Sequence, residues 1–232
     1  MDTLGPIGIH SITSALFTDA AVLLVGWALG ILSSPITDAI RRRSAKRRLT
    51  RAVSTELRSL QDSLAGVVVQ VAKRRHVLTR SLLEALLSTL KSSGHVPGDG
   101  RSFKMIGTLL EMDEHALAAS QAREPEPGRR PVLWLKVLGL PFIESYLHRL
   151  DLYTHETQRL LVEIRAGLQA FNQYADEGMH YHFLTFSADL GQDRLDALMR
   201  NVESCYEGAS EQASDLVSRV AVLLQSPEMQ AV

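Results

Sequence analysis

Ala20–Thr37 is an eighteen-residue run without a charged side chain, and it is almost wholly apolar from Ala21 through Leu32. A helix of about 18 to 20 such residues crosses the ~30 Å hydrocarbon core of a bilayer. Seven basic residues, Arg41, Arg42, Arg43, Lys46, Arg47, Arg48 and Arg51, follow within eleven positions. Lys and Arg gather on the cytoplasmic flank of a span. The pattern therefore predicts one N-terminal transmembrane helix, N-terminus out and C-terminus cytoplasmic. Residues 1–12 are expected to form a short external tail, 13–37 the span, 38–51 a basic juxtamembrane segment and 52–232 a cytoplasmic α-helical domain.

Two features inside the span bear on partners. Gly26 and Gly30 form a GxxxG pair that Ser34 extends by four residues. Small residues at this spacing let two helix backbones approach in lipid, so Gly26, Gly30 and Ser34 are the candidate dimer face. Asp19 falls near the outer boundary. An acid inside a span is a functional suspect, whereas one at headgroup depth costs little, and the second reading is the simpler. Pro35 is expected to kink or restart the helix.

Beyond the basic cluster, Val53, Leu57, Leu60, Leu64, Val67 and Val71 recur at alternating steps of four and three, the seam of a coiled coil. Between Asp38 and Lys91 there is no Pro, and Gly66 is the only Gly. A continuous helix over Thr37–Lys91 follows, roughly 80 Å long at 1.5 Å per residue. Lys73, Arg74 and Arg75 read as a solvated stretch of this stalk. Leu82, Leu83, Leu86, Leu87 and Leu90 widen the stripe into a core-facing surface. Ser92–Gly100 is a loop, and it lacks the Gly-Lys-Ser/Thr ending of a phosphate-binding loop.

A helix over Phe103–Ala122 and an exposed loop through Pro131 come next. The compact apolar run Val132–Leu140 is read as a short core helix, with a strand or an interfacial segment laying Trp134 on lipid beside Arg129 and Arg130 as alternatives. Phe142 to about Ala175 shows helical spacing at Ile143, Leu147, Leu150, Leu161, Ile164, Leu168 and Phe171, with Gly178 as its stop. Met179–Ala188 is too brief in pattern to assign. The last helix, about Gln192–Gln225, carries Leu195 through Leu223 at steps of three and four and is the expected cover for the Val53–Val71 seam.

Charge sharpens the picture. The net charge of −1 divides into +7 over residues 41–51, −3 before them and therefore −5 over 52–232. The basic residues suit anionic lipid headgroups, at roughly 1 kcal/mol per cation. Nucleic acid is not expected as a partner, because no aromatic residue interleaves the cluster. The single cysteine, Cys205, precludes an internal disulfide and suits a reducing compartment. Met1–Thr18 has no Lys or Arg, which argues against a cleavable signal peptide. Arg outnumbers Lys 20 to 5, a composition in keeping with a GC-rich bacterial genome and hence a bacterial inner membrane.

Candidate chemistry is sparse. Glu144, His148, Asp151 and His155 have metal-ligating types at spacings of four, three and four. On one continuous helix they would share a face opposite the apolar stripe, so a solvated polar face is the expectation and no metal or other cofactor is assigned. Glu177 and His180 make a lone Glu-x-x-His pair, where a di-iron bundle needs two. Cys205 with His180 or His182 could form a nucleophile and base, yet Cys205 lies in the apolar seam of its helix. No catalytic residue is assigned. The expected protein is all-α: a single transmembrane helix, a long stalk and a cytoplasmic bundle with coiled-coil character. Its expected role is scaffolding or sensing through protein contacts at the membrane, as a homodimer or with another membrane protein. The alternatives are a metal-dependent enzyme or sensor on residues 142–175, and an accessory subunit of a larger membrane complex.

Overall fold

The computed structural model describes residues 9–96, 100–122, 133–187 and 191–230; before Ile36, side chains are described only at Leu23, Leu24, Gly26 and Trp27. Every regular element among the described residues is helical, and no strand occurs. The helices are α1 (Ile9–Arg74), α2 (Arg80–Ser92), α3 (Arg101–Glu111), α4 (Glu114–Ala122), α5 (Pro141–Ser145), α6 (His155–Leu184), α7 (Gln192–Leu224) and α8 (Pro227–Gln230), with a 3-10 turn at Leu147–Leu152 between α5 and α6. The chain divides into two compact units, Met1–Arg48 and Leu49–Val232.

The second unit is a helical bundle. Val53, Leu57, Leu60, Leu64 and Val71 of α1 are all buried, so the heptad seam is closed by the chain's own helices. Fully buried Gln61 crosses this interface, donating from Nε2 to Val217 O of α7 (2.9 Å) and to Ser93 Oγ (3.0 Å). Arg74 and Glu203 meet farther along the same antiparallel pair at 2.6 Å. Of the solvated stretch expected at 73–75, Lys73 and Arg75 are exposed, whereas Arg74 is half-buried on Glu203 and lies 5.0 Å over the Tyr206 ring.

α6 and α7 form an antiparallel hairpin that small residues draw together. A Cβ on Gly178 would lie 3.2 Å from Cys205 Cβ, and one on Gly167 would lie 2.9 Å from Leu216 Cδ2. Gly178 is thus a crossing point inside α6, which continues to Leu184, and not the helix stop that its position predicted.

The expected Thr37–Lys91 helix ends at Arg74. His76 takes a left-handed conformation (φ 57°), His76 N–H donates to Lys73 O and Val77 N–H to Ala72 O, the two bonds of a Schellman termination. Thr79 then caps α2, its Oγ1 accepting from Leu82 N–H. The Phe103–Ala122 helix is likewise two helices, because Asp113 Oδ1 accepts from Ala116 N–H and starts α4 afresh.

Residues 133–140 form neither helix nor strand. Asn172 of α6 ties them to the bundle: its side-chain amide accepts from Leu138 N–H (2.9 Å) and donates to Leu138 O (2.7 Å). The single helix expected over 142–175 is broken at Tyr146 and again at Tyr153, where extended backbone leads to Thr154, the N-cap of α6.

Two carboxylates on α1 organise these pieces. Asp62 accepts from the N–H groups of Arg101, Ser102 and Phe103, and Glu56 from those of Phe142 and Ile143. The N-cap residues of α3 and α5 are Gly100 and Leu140, which offer no side-chain acceptor. α1 therefore supplies both missing caps and places negative charge at both helix N-termini.

Candidate membrane and docking surfaces

In the first unit, Leu23, Leu24, Trp27, Ile36 and Ile40 are between 56% and 73% exposed. A Cβ built on Gly26 meets nothing within 4 Å. Arg41, Arg42, Arg43, Arg47 and Arg48 are exposed on the same helix, and Lys46 is half-buried; Arg51, in the second unit, is exposed. An uncovered apolar stretch with cations behind it can enter a bilayer or pack on a partner helix. The side chains of Asp19, Gly30 and Ser34 lie outside the described residues, as does most of the Ala20–Pro35 run. Among the described residues, no helix is long and apolar enough to cross a membrane.

The four metal candidates do not share a helix. Glu144 lies on α5, His148 and Asp151 on the 3-10 turn and His155 at the start of α6, all exposed. The face computed for one continuous helix therefore does not exist, and His148 instead stacks on Tyr146. Among the described residues, no group of three or more His, Cys, Asp or Glu side chains is placed to hold a metal.

Cys205 and His182 are both buried, on α7 and α6. Burial, then the nearby Glu177 carboxylate, pushes the Cys205 thiol up. Burial, then the Arg74 guanidinium, pushes His182 down. Each is driven toward its neutral form, opposite to the thiolate–imidazolium pair that a cysteine nucleophile uses. His180 and Glu177 are exposed on α6, and the His180 ring leans on Tyr181.

An open groove of about 410 Å³ lies between the end of α1 and α7, lined by Arg75, Asp196, Met199, Arg200, Glu203 and Glu207. Its charges are largely matched, with Arg75 on Glu207 at 2.7 Å and Arg74 on Glu203. It presents no converging set of polar groups for one ligand.

The remaining feature is aromatic. Trp134, on the irregular 133–140 segment, sits edge-on to Phe183 and His182, each 6.2 Å between ring centres, and His182 meets Phe186 edge-on at 4.9 Å. Trp134, Phe183 and Phe186 are exposed, while His182 is buried beneath them. The periodicity of 179–188 was too short to assign these phenylalanines; the continuation of α6 to Leu184 is what brings them to Trp134.

Comparison of the chain with protein-family models, with curated proteins and with solved structures finds no match in any of the three.

Proposed function

We propose that this chain is a membrane-anchored helical interaction protein, with a span over residues 13–37, a basic juxtamembrane segment at 38–51 and a cytoplasmic bundle that scaffolds or senses a partner without chemistry of its own. The carrying observation is the exposed apolar set Leu23, Leu24, Trp27, Ile36 and Ile40, followed by exposed Arg41–Arg43, Arg47 and Arg48. Large apolar side chains this uncovered are costly in water, at about 25 cal/mol per Å². The adjoining cations match anionic headgroups. Self-association is assigned to Gly26, Gly30 and Ser34, since the Val53–Val71 seam is already buried within its own unit.

Membrane fractionation with carbonate washing tests the anchor, and a C-terminal reporter active only outside the cytoplasm tests the orientation. The expected result is a carbonate-resistant chain and a silent reporter. Release of the chain by carbonate refutes the span, and an active reporter reverses the topology. A metal-dependent activity on Glu144, His148, Asp151 and His155 gains no support from their exposed positions on three separate elements.

A further inference from the structure

We propose that the Arg41–Arg48 segment of α1 passes end-on through the headgroup layer of a bilayer and gathers a ring of anionic lipid headgroups around itself. The inference rests on the reading of the chain as membrane-anchored, and adds to it the class of lipid and its arrangement.

The helix is bare on every side here. All nine positions from Ile36 to Ser44 are exposed, so the described residues cover no face of it. A helix packed along its length keeps a buried stripe, as α1 does farther on at Val53, Leu57, Leu60 and Leu64.

The cations are spread as evenly. At ~100° per residue from Arg41, Arg42 falls at ~100°, Lys46 at ~140°, Arg43 at ~200°, Arg47 at ~240° and Arg48 at ~340°. Lys46 is half-buried and the five arginines are exposed. The exposed apolar residues are no more one-sided. Leu23 shares the direction of Arg41, while Trp27 falls at ~40°, Leu24 at ~100°, Ile36 at ~220° and Ile40 at ~260°. A helix lying in the plane of the interface has a cationic face and an apolar face. This one changes along its axis, from apolar to cationic, and not around it. That is the pattern of a helix crossing a layered medium.

The dimensions and the charge agree with a headgroup layer. Arg41 to Arg48 rises about 10 Å. Each headgroup layer is about 5–8 Å deep, half the difference between a ~30 Å core and a whole bilayer of about 40–45 Å. Between Ile36 and Arg48 there are six cations and a single acid, Asp38, so the matching headgroup is anionic. A duplex or an acidic protein surface touches a helix from one side and leaves the remaining cations facing water. A headgroup layer closes around it.

Neutralising opposite sides of the helix makes the test. The full-length chain is reconstituted into phosphatidylcholine vesicles carrying a small share of spin-labelled phosphatidylglycerol or, in parallel, of spin-labelled phosphatidylcholine. The motionally restricted fraction of each label reports lipid in contact with the helix, and their ratio is the preference for the anionic headgroup. One variant carries Arg41→Gln with Arg48→Gln; the other carries Arg43→Gln with Arg47→Gln on the far side. All four residues are exposed, so circular dichroism and carbonate resistance should match the unaltered chain. The expected result is a several-fold preference for phosphatidylglycerol that each pair lowers by a similar factor and all four substitutions lower further. Loss of the preference in one pair, with the other unchanged, places the anion on one face, as for an in-plane helix or a docked protein, and overturns the proposal. Equal restriction of both labelled lipids by the unaltered chain overturns it as well. Either result in a carbonate-resistant chain refutes the ring alone, whereas release by carbonate removes the anchor together with the inference.

Discussion

The cap that Asp62 supplies to α3 can be taken apart with a double-mutant cycle. Its carboxylate accepts from three N–H groups, at 3.1 Å from Arg101, 3.3 Å from Ser102 and 3.0 Å from Phe103. A hydrogen bond to a charged group contributes about 1.5–3 kcal/mol, and loss of a cap costs about 0.5–2 kcal/mol. The three bonds share one carboxylate at a partly exposed site, so Asp62→Ala is expected to cost about 2–3 kcal/mol. Gly100 stands directly against this carboxylate at φ +70°, and a Cβ there would run into Asp62 Cγ and both its oxygens. With φ 70° and ψ 157°, a region essentially reserved for glycine, Gly100→Ala carries a backbone penalty of about 1–3 kcal/mol and also displaces the cap. Its total cost approaches that of Asp62→Ala plus the backbone term. In the Asp62→Ala background only the backbone penalty remains. The double variant should be about 1–3 kcal/mol more stable than the sum of the single losses predicts, well above the ~0.5 kcal/mol scatter of independent sites. Urea unfolding of the four proteins, followed by far-UV circular dichroism, measures the coupling. Additivity within ~0.5 kcal/mol would refute the claim that α3 is capped from α1 over Gly100.

Three further outcomes follow from other parts of the bundle. His76→Gly should raise stability by about 0.5–1 kcal/mol, the relief of a left-handed non-glycine residue less the entropy added to the unfolded chain; a lower urea midpoint would contradict the Schellman termination. His182 is held below its ordinary value by burial and then by Arg74, so the unfolded chain binds the extra proton first. Its contribution is whole above the unfolded value of about 6.5 and is lost as pH falls from there through the folded value, so the urea midpoint should decline on acidification, less steeply in His182→Asn. Leu57→Ala and Leu64→Ala, at fully buried seam positions, should each cost about 2–5 kcal/mol in the bundle while leaving self-association in a membrane two-hybrid assay intact; Gly26→Ile with Gly30→Ile should do the reverse.

The seam was legible in the sequence because a heptad pattern marks burial whoever provides the cover, and Val53, Leu57 and Leu64 are buried either way. Helix ends were harder. Nothing about His76 announces a left-handed residue, and Gly178, placed to admit Cys205, is indistinguishable in sequence from a terminating glycine. The polar face of Glu144, His148, Asp151 and His155 was an artefact of carrying one helical period across two breaks; Thr154, a good N-cap type, was the available warning. Asn172 holding Leu138 and Asp62 and Glu56 capping distant helices are non-local bonds, 34 to 87 residues apart, and local rules do not reach them. The aromatic ridge joins segments about fifty residues apart and needed both corrections before it could be seen.

The pairing of α1 with α7 also sets a timetable. Gln61 and its acceptor Val217 are 156 residues apart, and the seam that α7 helps to close is among the first parts of the bundle to leave the ribosome. At about 5–20 residues per second, Leu57 and Leu64 wait on the order of ten seconds or more for that partner helix. Throughout that interval the nascent chain carries an open apolar stripe. A chain whose synthesis stalls before Gln192 keeps that stripe uncovered, so a ribosome-bound or prematurely ended product would be the form most exposed to chaperones and proteases.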